Sequence, residues 1–202
     1  WRAGYLRALD DAEDAEREEE AREAAEIAAD NEVSSLHATF CTEAEALAGA
    51  ELGLLPRISQ QFHWENAGYE DFDGFLAALS SRKRKNIRKE RATAAGFGGT
   101  IETFTGDDLR PEHWDAFWVF YQDTGARKWG TPYLTREAFD LMSERMGEQM
   151  LLVLAFMDDV PIAGALNFVG GSAIYGRYWG CSVDKPFLHF ELCYHQAIDH
   201  AI

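Results

Sequence analysis

The stretch MLLVLAFMDDVPIAGALNFVGGSAIYGRYW, residues 150–179, decides the architecture. Met150 to Phe156 is a continuous apolar run of strand length, and Asp158–Asp159 supplies a turn. Pro161 to Val169 is a second strand, Gly170–Gly171 a second turn, and Ser172 to Trp179 a third strand. Connections this short join antiparallel neighbours, because a parallel pair needs a crossover of a dozen or more residues. The expected class is α/β in the broad sense, an α+β arrangement with a mixed, mainly antiparallel sheet flanked by helices.

Working outward, a helix is expected from about Pro186 to the end of the chain. Upstream, Thr135 N-caps a helix to about Met146, Gly125 to Tyr133 is a loop, and Pro111 to Tyr121 is a helix rich in Trp and Phe. Thr100 to Phe104 reads as a strand. Asp71 is expected to open one long helix, with Phe72, Phe75, Leu76 and Leu79 at i, i+3, i+4 and i+7, running on to Gly96. Asn66 and Gly68 make Glu65–Tyr69 a turn and a soft boundary. Before it, Ser35–Phe40 and Ile58–Trp64 read as strands, and Thr42 caps a helix to about Leu52 with Glu45 in the capping-box position. Asp10 to Asn31 is acidic and alanine-rich, a solvated helix whose weak apolar stripe is expected to lie against a sheet.

The 202 residues are 47% hydrophobic and 13% aromatic, enough for a sizeable core. No apolar run reaches the roughly 18 residues of a membrane helix. Trp1 to Glu32 lacks the apolar core of a signal peptide, so the cytoplasm is the expected compartment. Both ends have the look of a fragment: no initiator Met, and Ile202 inside a helical pattern. Cys41, Cys181 and Cys193 are too few and too widely spaced for a disulfide framework or a zinc ribbon, and read as buried apolar residues.

The formal net charge of −16 repels nucleic acid and anionic membrane unless positive charge is gathered locally. It is gathered here. Seven of the 19 Lys and Arg residues fall within residues 82–91: Arg82, Lys83, Arg84, Lys85, Arg88, Lys89 and Arg91. Projected on one helix from Asp71, the apolar stripe continues into Lys83, Asn86 and Glu90. Burying such groups unpaired costs several kcal/mol. The stripe therefore either emerges into solvent or enters a polar cavity that takes a phosphate or carboxylate, with Arg84 and Arg88 as ligands of the kind suited to planar anions.

The stretches FLAALSSRKRKNIRKER, GRYWGC and FLHFELCYHQAI together resemble the FemAB-like proteins, described as peptidoglycan biosynthesis/recognition proteins, within the GNAT-fold acyltransferases. SSLHATF and QFHWEN add to the likeness, which covers roughly Ser34 to Ile202. The resemblance implies a double-GNAT protein, of which residues 1–65 are the C-terminal part of the first half and 66–202 most of the second, truncated at its C-terminus. It implies transfer of an acyl or aminoacyl group to an amine acceptor, a peptidoglycan precursor or a small molecule. The pyrophosphate pattern of simpler acetyltransferases is absent, and Cys181 to Pro186 stands in its place. No cofactor is therefore fixed, and acyl-CoA and aminoacyl-tRNA are the two donor classes in view, the tRNA disfavoured by net charge except along the basic helix.

Acyl transfer needs a positioned amine, a proton acceptor and a donor to the oxyanion. Glu191 and Tyr178 are the catalytic candidates, with Glu191 read as a general base or as a partner of the basic helix. Gly176 and Gly180 flank Arg177, Tyr178 and Trp179, marking either a bulge beside a ligand or a twisted strand with aromatic packing. Trp129 and Tyr133 are candidates for a ligand lid, and Asn167 either presents its amide to substrate or faces solvent. His189 completes the substrate-binding set with Lys83, Arg84, Asn86, Arg88, Arg177 and Trp179. Glu191 and His195, at i and i+4, share a face, but no metal site is read. His37, His63 and His113 read as structural. A GNAT-like module that binds an anionic cell-wall precursor or RNA without catalysis is the competing reading. Catalysis predicts that Lys83, Asn86, Tyr178 and Glu191 converge on one cavity.

Overall fold

The computed structural model describes residues 19–39, 41–58, 60–127 and 132–202, and the chain divides into two units, Trp1–His63 and Trp64–Ile202. In the first, residues 19–30 are helical. Helix α1, Glu43–Glu51, carries the expected capping box: Thr42 N donates to Glu45 Oε2 at 2.6 Å and Glu45 N to Thr42 Oγ1 at 3.3 Å. The strands expected at Ser35–Phe40 and Ile58–Trp64 do not form among the described residues. A strand is stable only with neighbours to pair with, and the described residues of this unit offer none, while residues 10–18 of the expected acidic helix lie outside the described residues. Ile58 and Phe62 are accordingly 101% and 84% exposed.

The second unit is built on a four-stranded antiparallel sheet in the order β1-β2-β3-β4. The strands are β1 Thr100–Phe104, β2 Met150–Met157, β3 Val160–Val169 and β4 Ile174–Cys181. The β2–β3 turn places both Asp158 and Asp159 at positive φ, 52° and 61°. This is the two-residue geometry that matches strand twist and that glycine adopts with least strain. Asp159→Gly is expected to raise stability by about 1 kcal/mol, read as a higher urea midpoint at unchanged slope.

Alternation along β2 sends Leu152 and Leu154 to one face and Leu151, Val153 and Ala155 to the other. The first face is covered by two helices: α4, Pro111–Arg127, and α5, Arg136–Met146, pack Trp114, Phe117, Phe120 and Phe139 against it. Helix α4 runs through the expected loop start at Gly125, where a Cβ would meet the Pro132 ring. The second face is covered by α6, residues 188–201, through Leu188 and Leu192. Helix α6 contains a π turn, Glu191–His195.

The largest departure from expectation lies between Asp71 and Gly96. Asp71 caps the helix as expected, its Oδ1 accepting from Gly74 N at 2.7 Å. Helix α2, however, is only Phe72–Ala78, and Leu79 turns extended at ψ 158°. A new helix, α3, Ser81–Ala95, starts after Ser80 and ends on Gly96. Ser80 takes the N-cap position, which serine tolerates better than a helix interior, without a side-chain capping bond, and the extended Leu79 before it sets the new helix in a different phase. The inward positions of α3 are Arg84, Ile87, Arg91 and Ala94, with Glu90 at the margin, while Lys83 and Asn86 are exposed. Arg84 Nη1 reaches back to Ala77 O at 3.2 Å and Leu79 O at 3.4 Å, giving partners to the open end of α2. Phe72, Phe75 and Leu76 of α2 form a separate cluster with Trp64, Ile87 and Ile198.

Candidate functional site

Three places in the second unit gather chemistry-bearing side chains. The first is a buried ion pair between α3 and α6. Arg91 Nε lies 3.2 and 3.1 Å from the two Glu191 carboxylate oxygens, and Arg91 Nη2 donates to Glu191 Oε1 at 2.9 Å. The π turn adds two more donors on the same carboxylate. His195 Nδ1 is 3.1 Å from Oε2, and Gln196 Nε2 donates to Oε1 at 2.8 Å. In a regular helix residues i and i+5 do not face one another; the wider turn brings Gln196 onto Glu191. Arg91 also sits 4.1 Å above the Phe72 ring and 3.5 Å from Asp199 Oδ2.

Burial alone would push the Glu191 carboxyl up, but hydrogen bonds from His195, Arg91 and Gln196, with the Arg91 charge, outweigh it and hold the carboxyl at about 2. A carboxylate so stabilised is a poor proton acceptor near neutral pH. Of the two roles expected for Glu191, its partnership with the basic helix is the one the geometry displays. Beside the pair, a cavity of about 480 Å³ is walled by Ala92, Ala95, Phe97, Gly99 and Ile101, with Arg91, Glu191 and Gln196 at its polar end.

The second place is on β4, where the β3–β4 register shifts between Leu166 and Asn167. Leu166 pairs with Tyr178 and Asn167 with Gly176, which leaves Arg177 as the extra residue of a bulge. Arg177 Nη2 donates to the Tyr133 hydroxyl at 2.8 Å, its guanidinium lies 4.5 Å over the Tyr178 ring, and the Tyr133 and Tyr178 hydroxyls are hydrogen-bonded to each other. Tyr121 meets Tyr178 edge to face at 5.1 Å and accepts from Leu134 N. Burial, then the Tyr133 hydrogen bond, raise the Tyr178 phenol far above its ordinary value, so it keeps its proton. Gly180 serves packing instead: a Cβ there would run into the backbone of Phe120 in α4.

The third place is aromatic. Trp179 and His189 pack edge to face at 4.9 Å, and Phe190 and Tyr194 extend the group to a half-exposed surface. Burial lowers the His189 pKa, against a smaller opposing effect of Asp184.

The expected convergence does not occur. Tyr178 lies on the α4–α5 face of the sheet, Glu191 on the α6 face, and Lys83 and Asn86 point to solvent. The phase change at Ser80 accounts for the last two. Arg84 is taken up by α2, and Arg88 forms an exposed pair with Asp73 at 2.8 Å. Asn167 neither faces solvent nor offers a free amide: it is 1% exposed and its Nδ2 donates to Leu151 O at 3.2 Å. Trp129 lies outside the described residues. Reading by pattern passed over Arg91 and Gln196; a wheel restarted at Ser80 puts Arg91 on the inner face. Among the described residues no group of three or more His, Cys, Asp or Glu side chains is placed to hold a metal ion, and no helix is long and apolar enough to cross a membrane.

The residues that build these places, SRKRKNIRKER on α3, GRYWGC on β4 and FLHFELCYHQAI on α6, lie within a match to the family FemAB-like, peptidoglycan biosynthesis/recognition, spanning residues 4–202. The chain belongs to the FemAB-like family. No curated protein matches it. The antiparallel sheet with flanking helices is consistent with a GNAT-like α+β fold.

Proposed function

We propose that this FemAB-like chain is a GNAT-like N-acyltransferase that moves an acyl or aminoacyl group to an amine, on a cell-wall precursor or a small molecule. The observation that carries the reading is the β4 bulge, where Arg177, Tyr133 and Tyr178 meet at the surface of the sheet. Acyl transfer passes through an oxyanion, and a phenol that holds its proton beside a guanidinium is a suitable pair of donors to it. Tyr178 then acts as the oxyanion donor, Arg177 orients the Tyr133 hydroxyl, and the Arg91–Glu191 pair fixes α3 against α6 without taking part in proton transfer.

The test offers the chain acyl-CoAs or aminoacyl-tRNA with peptidoglycan fragments and small amines, and follows product by mass spectrometry. Tyr178→Phe is expected to lower kcat about 100-fold with substrate affinity nearly unchanged, the size of losing one oxyanion donor. One observation favours a second reading, a non-catalytic module for an anionic cell-wall precursor: Glu191 and His195, the hydrogen-bonded acid–base pair of α6, lie on the far face of the sheet from Tyr178. That reading expects binding that is lost in Arg177→Ala, with no product from any donor.

A further inference from the structure

The outward face of α3 belongs to none of the three places above. Arg82, Lys85 and Lys89, at i, i+3 and i+7, form one exposed stripe opposite Arg84, Ile87, Arg91 and Ala94, with Lys83 exposed on its flank. The segment divides its cations by type. Three of its four arginines are held by the protein: Arg84 on the α2 carbonyls, Arg88 on Asp73 and Arg91 on Glu191. Arg82 and all three lysines have no hydrogen-bond or ion-pair partner among the described residues. The stripe from residue 82 to 89 is about 10 Å long, about one Debye length at 0.1 M salt, so the charges act on a partner together.

We propose that this face docks the protein on an anionic lipid surface. Three cations in line on one face of a helix, with a fourth to their side, make the electrostatic pattern that such surfaces attract, each contributing on the order of five-fold in binding. Lysine suits this role because it is a compact, strongly hydrated point charge without arginine's fork for a single phosphate. The stripe carries no large exposed apolar side chain; those of this unit, among them Tyr175, Phe187, Phe190 and Tyr194, lie on other elements. Adsorption is therefore electrostatic and reversible, without insertion. The same absence of aromatic side chains disfavours single-stranded RNA, whose bases are held by stacking. The net charge of −16 works against adsorption of the molecule as a whole, so the cationic stripe is the part of it that such a surface attracts.

The test is co-sedimentation of the full chain with vesicles of equal parts phosphatidylglycerol and phosphatidylcholine, against vesicles of phosphatidylcholine alone. Binding to the anionic vesicles only, falling steeply between about 0.05 and 0.5 M salt, is expected. Arg82→Gln, Lys85→Gln and Lys89→Gln together lower the partition coefficient about 100-fold. The same loss of charge elsewhere, Arg127→Gln, Arg145→Gln and Lys185→Gln, leaves it within about two-fold. The inference is overturned if wild-type protein sediments equally with neutral vesicles, or if the two triple variants lose binding alike. Capture of an RNA duplex with no binding to anionic vesicles also overturns it and assigns the stripe to nucleic acid. None of these results bears on acyl transfer, which is read from product formation.

Discussion

Arg91→Ala is expected to destabilise the second unit by about 3–5 kcal/mol, the range for removing one partner of a buried ion pair. Glu191 has a side chain only 5% exposed, and its carboxylate would keep His195 and Gln196 but lose all three contacts from the guanidinium. Arg91→Met with Glu191→Leu should recover most of the loss, because no charge is then left buried without a partner. Urea titrations of the three proteins check this. The same pair sets a pH dependence. The Glu191 carboxyl is depressed from 4.5 unfolded to about 2 folded, so its contribution is fully present above about pH 5. It is lost as pH falls toward 2, about 3 kcal/mol in all. In Arg91→Met with Glu191→Leu that acid-dependent loss should shrink by a similar amount, which separates this carboxylate from the general acid sensitivity of an acidic chain.

Phe117→Ala is expected to cost about 3–5 kcal/mol. Phe117 is fully buried between α4 and the sheet, edge to face with Phe139 at 5.8 Å and with Trp114 at 6.4 Å. Its ring lies over Gly164 of β3: a Cβ at 164 would stand 2.9 Å from Phe117 Cδ2 and 2.8 Å from Leu154 Cδ2. Gly164→Ala alone therefore overpacks the same site and costs about 1–3 kcal/mol. Combined, the two changes should cost less than their sum, because the added methyl occupies space the ring vacates. Additive losses in denaturant melts would mean that the ring and the glycine do not share that space.

The meander was legible because each of its strands is bounded by its own turn. Asp158–Asp159 and Gly170–Gly171 set the pairing, and Leu151 to Ala155 left no choice about what to bury. Thr42 with Glu45 and Asn66 with Gly68 were equally readable, since each acts on backbone groups a few residues away. The candidate strands around Leu36 and Ile58 failed because a strand depends on a neighbour that local sequence does not specify. Within 82–91 the composition was plain but the direction of each side chain was not. One extended residue, Leu79, rotates everything after it, and the switch from Lys83 and Asn86 to Arg84 and Arg91 follows. Glu191 was found because helix spacing links it to His195; Gln196 was not, because its approach depends on a π turn. The meeting of Arg177 with Tyr133 joins residues 44 apart in sequence through a bulge, and only the glycine at 176 announced it.

A π turn is one residue more than a regular helix needs over the same span. Its presence makes the length of α6 a ruler for the clamp beneath it. A related chain with one residue fewer between the equivalents of Phe187 and Ile202 would close that turn as an ordinary α-helix, and the residues after it would keep their faces, because the wide turn only absorbs the extra residue. The residue in place of Gln196 would stand four places from the carboxylate, on the same face of a regular turn, and Ile198 and Ile202 would stay with the α2 cluster they join. Counting residues in this helix, without any coordinates, therefore distinguishes relatives whose carboxylate has two partners from its own helix, as His195 and Gln196 are here, from those with room for the i+4 partner alone.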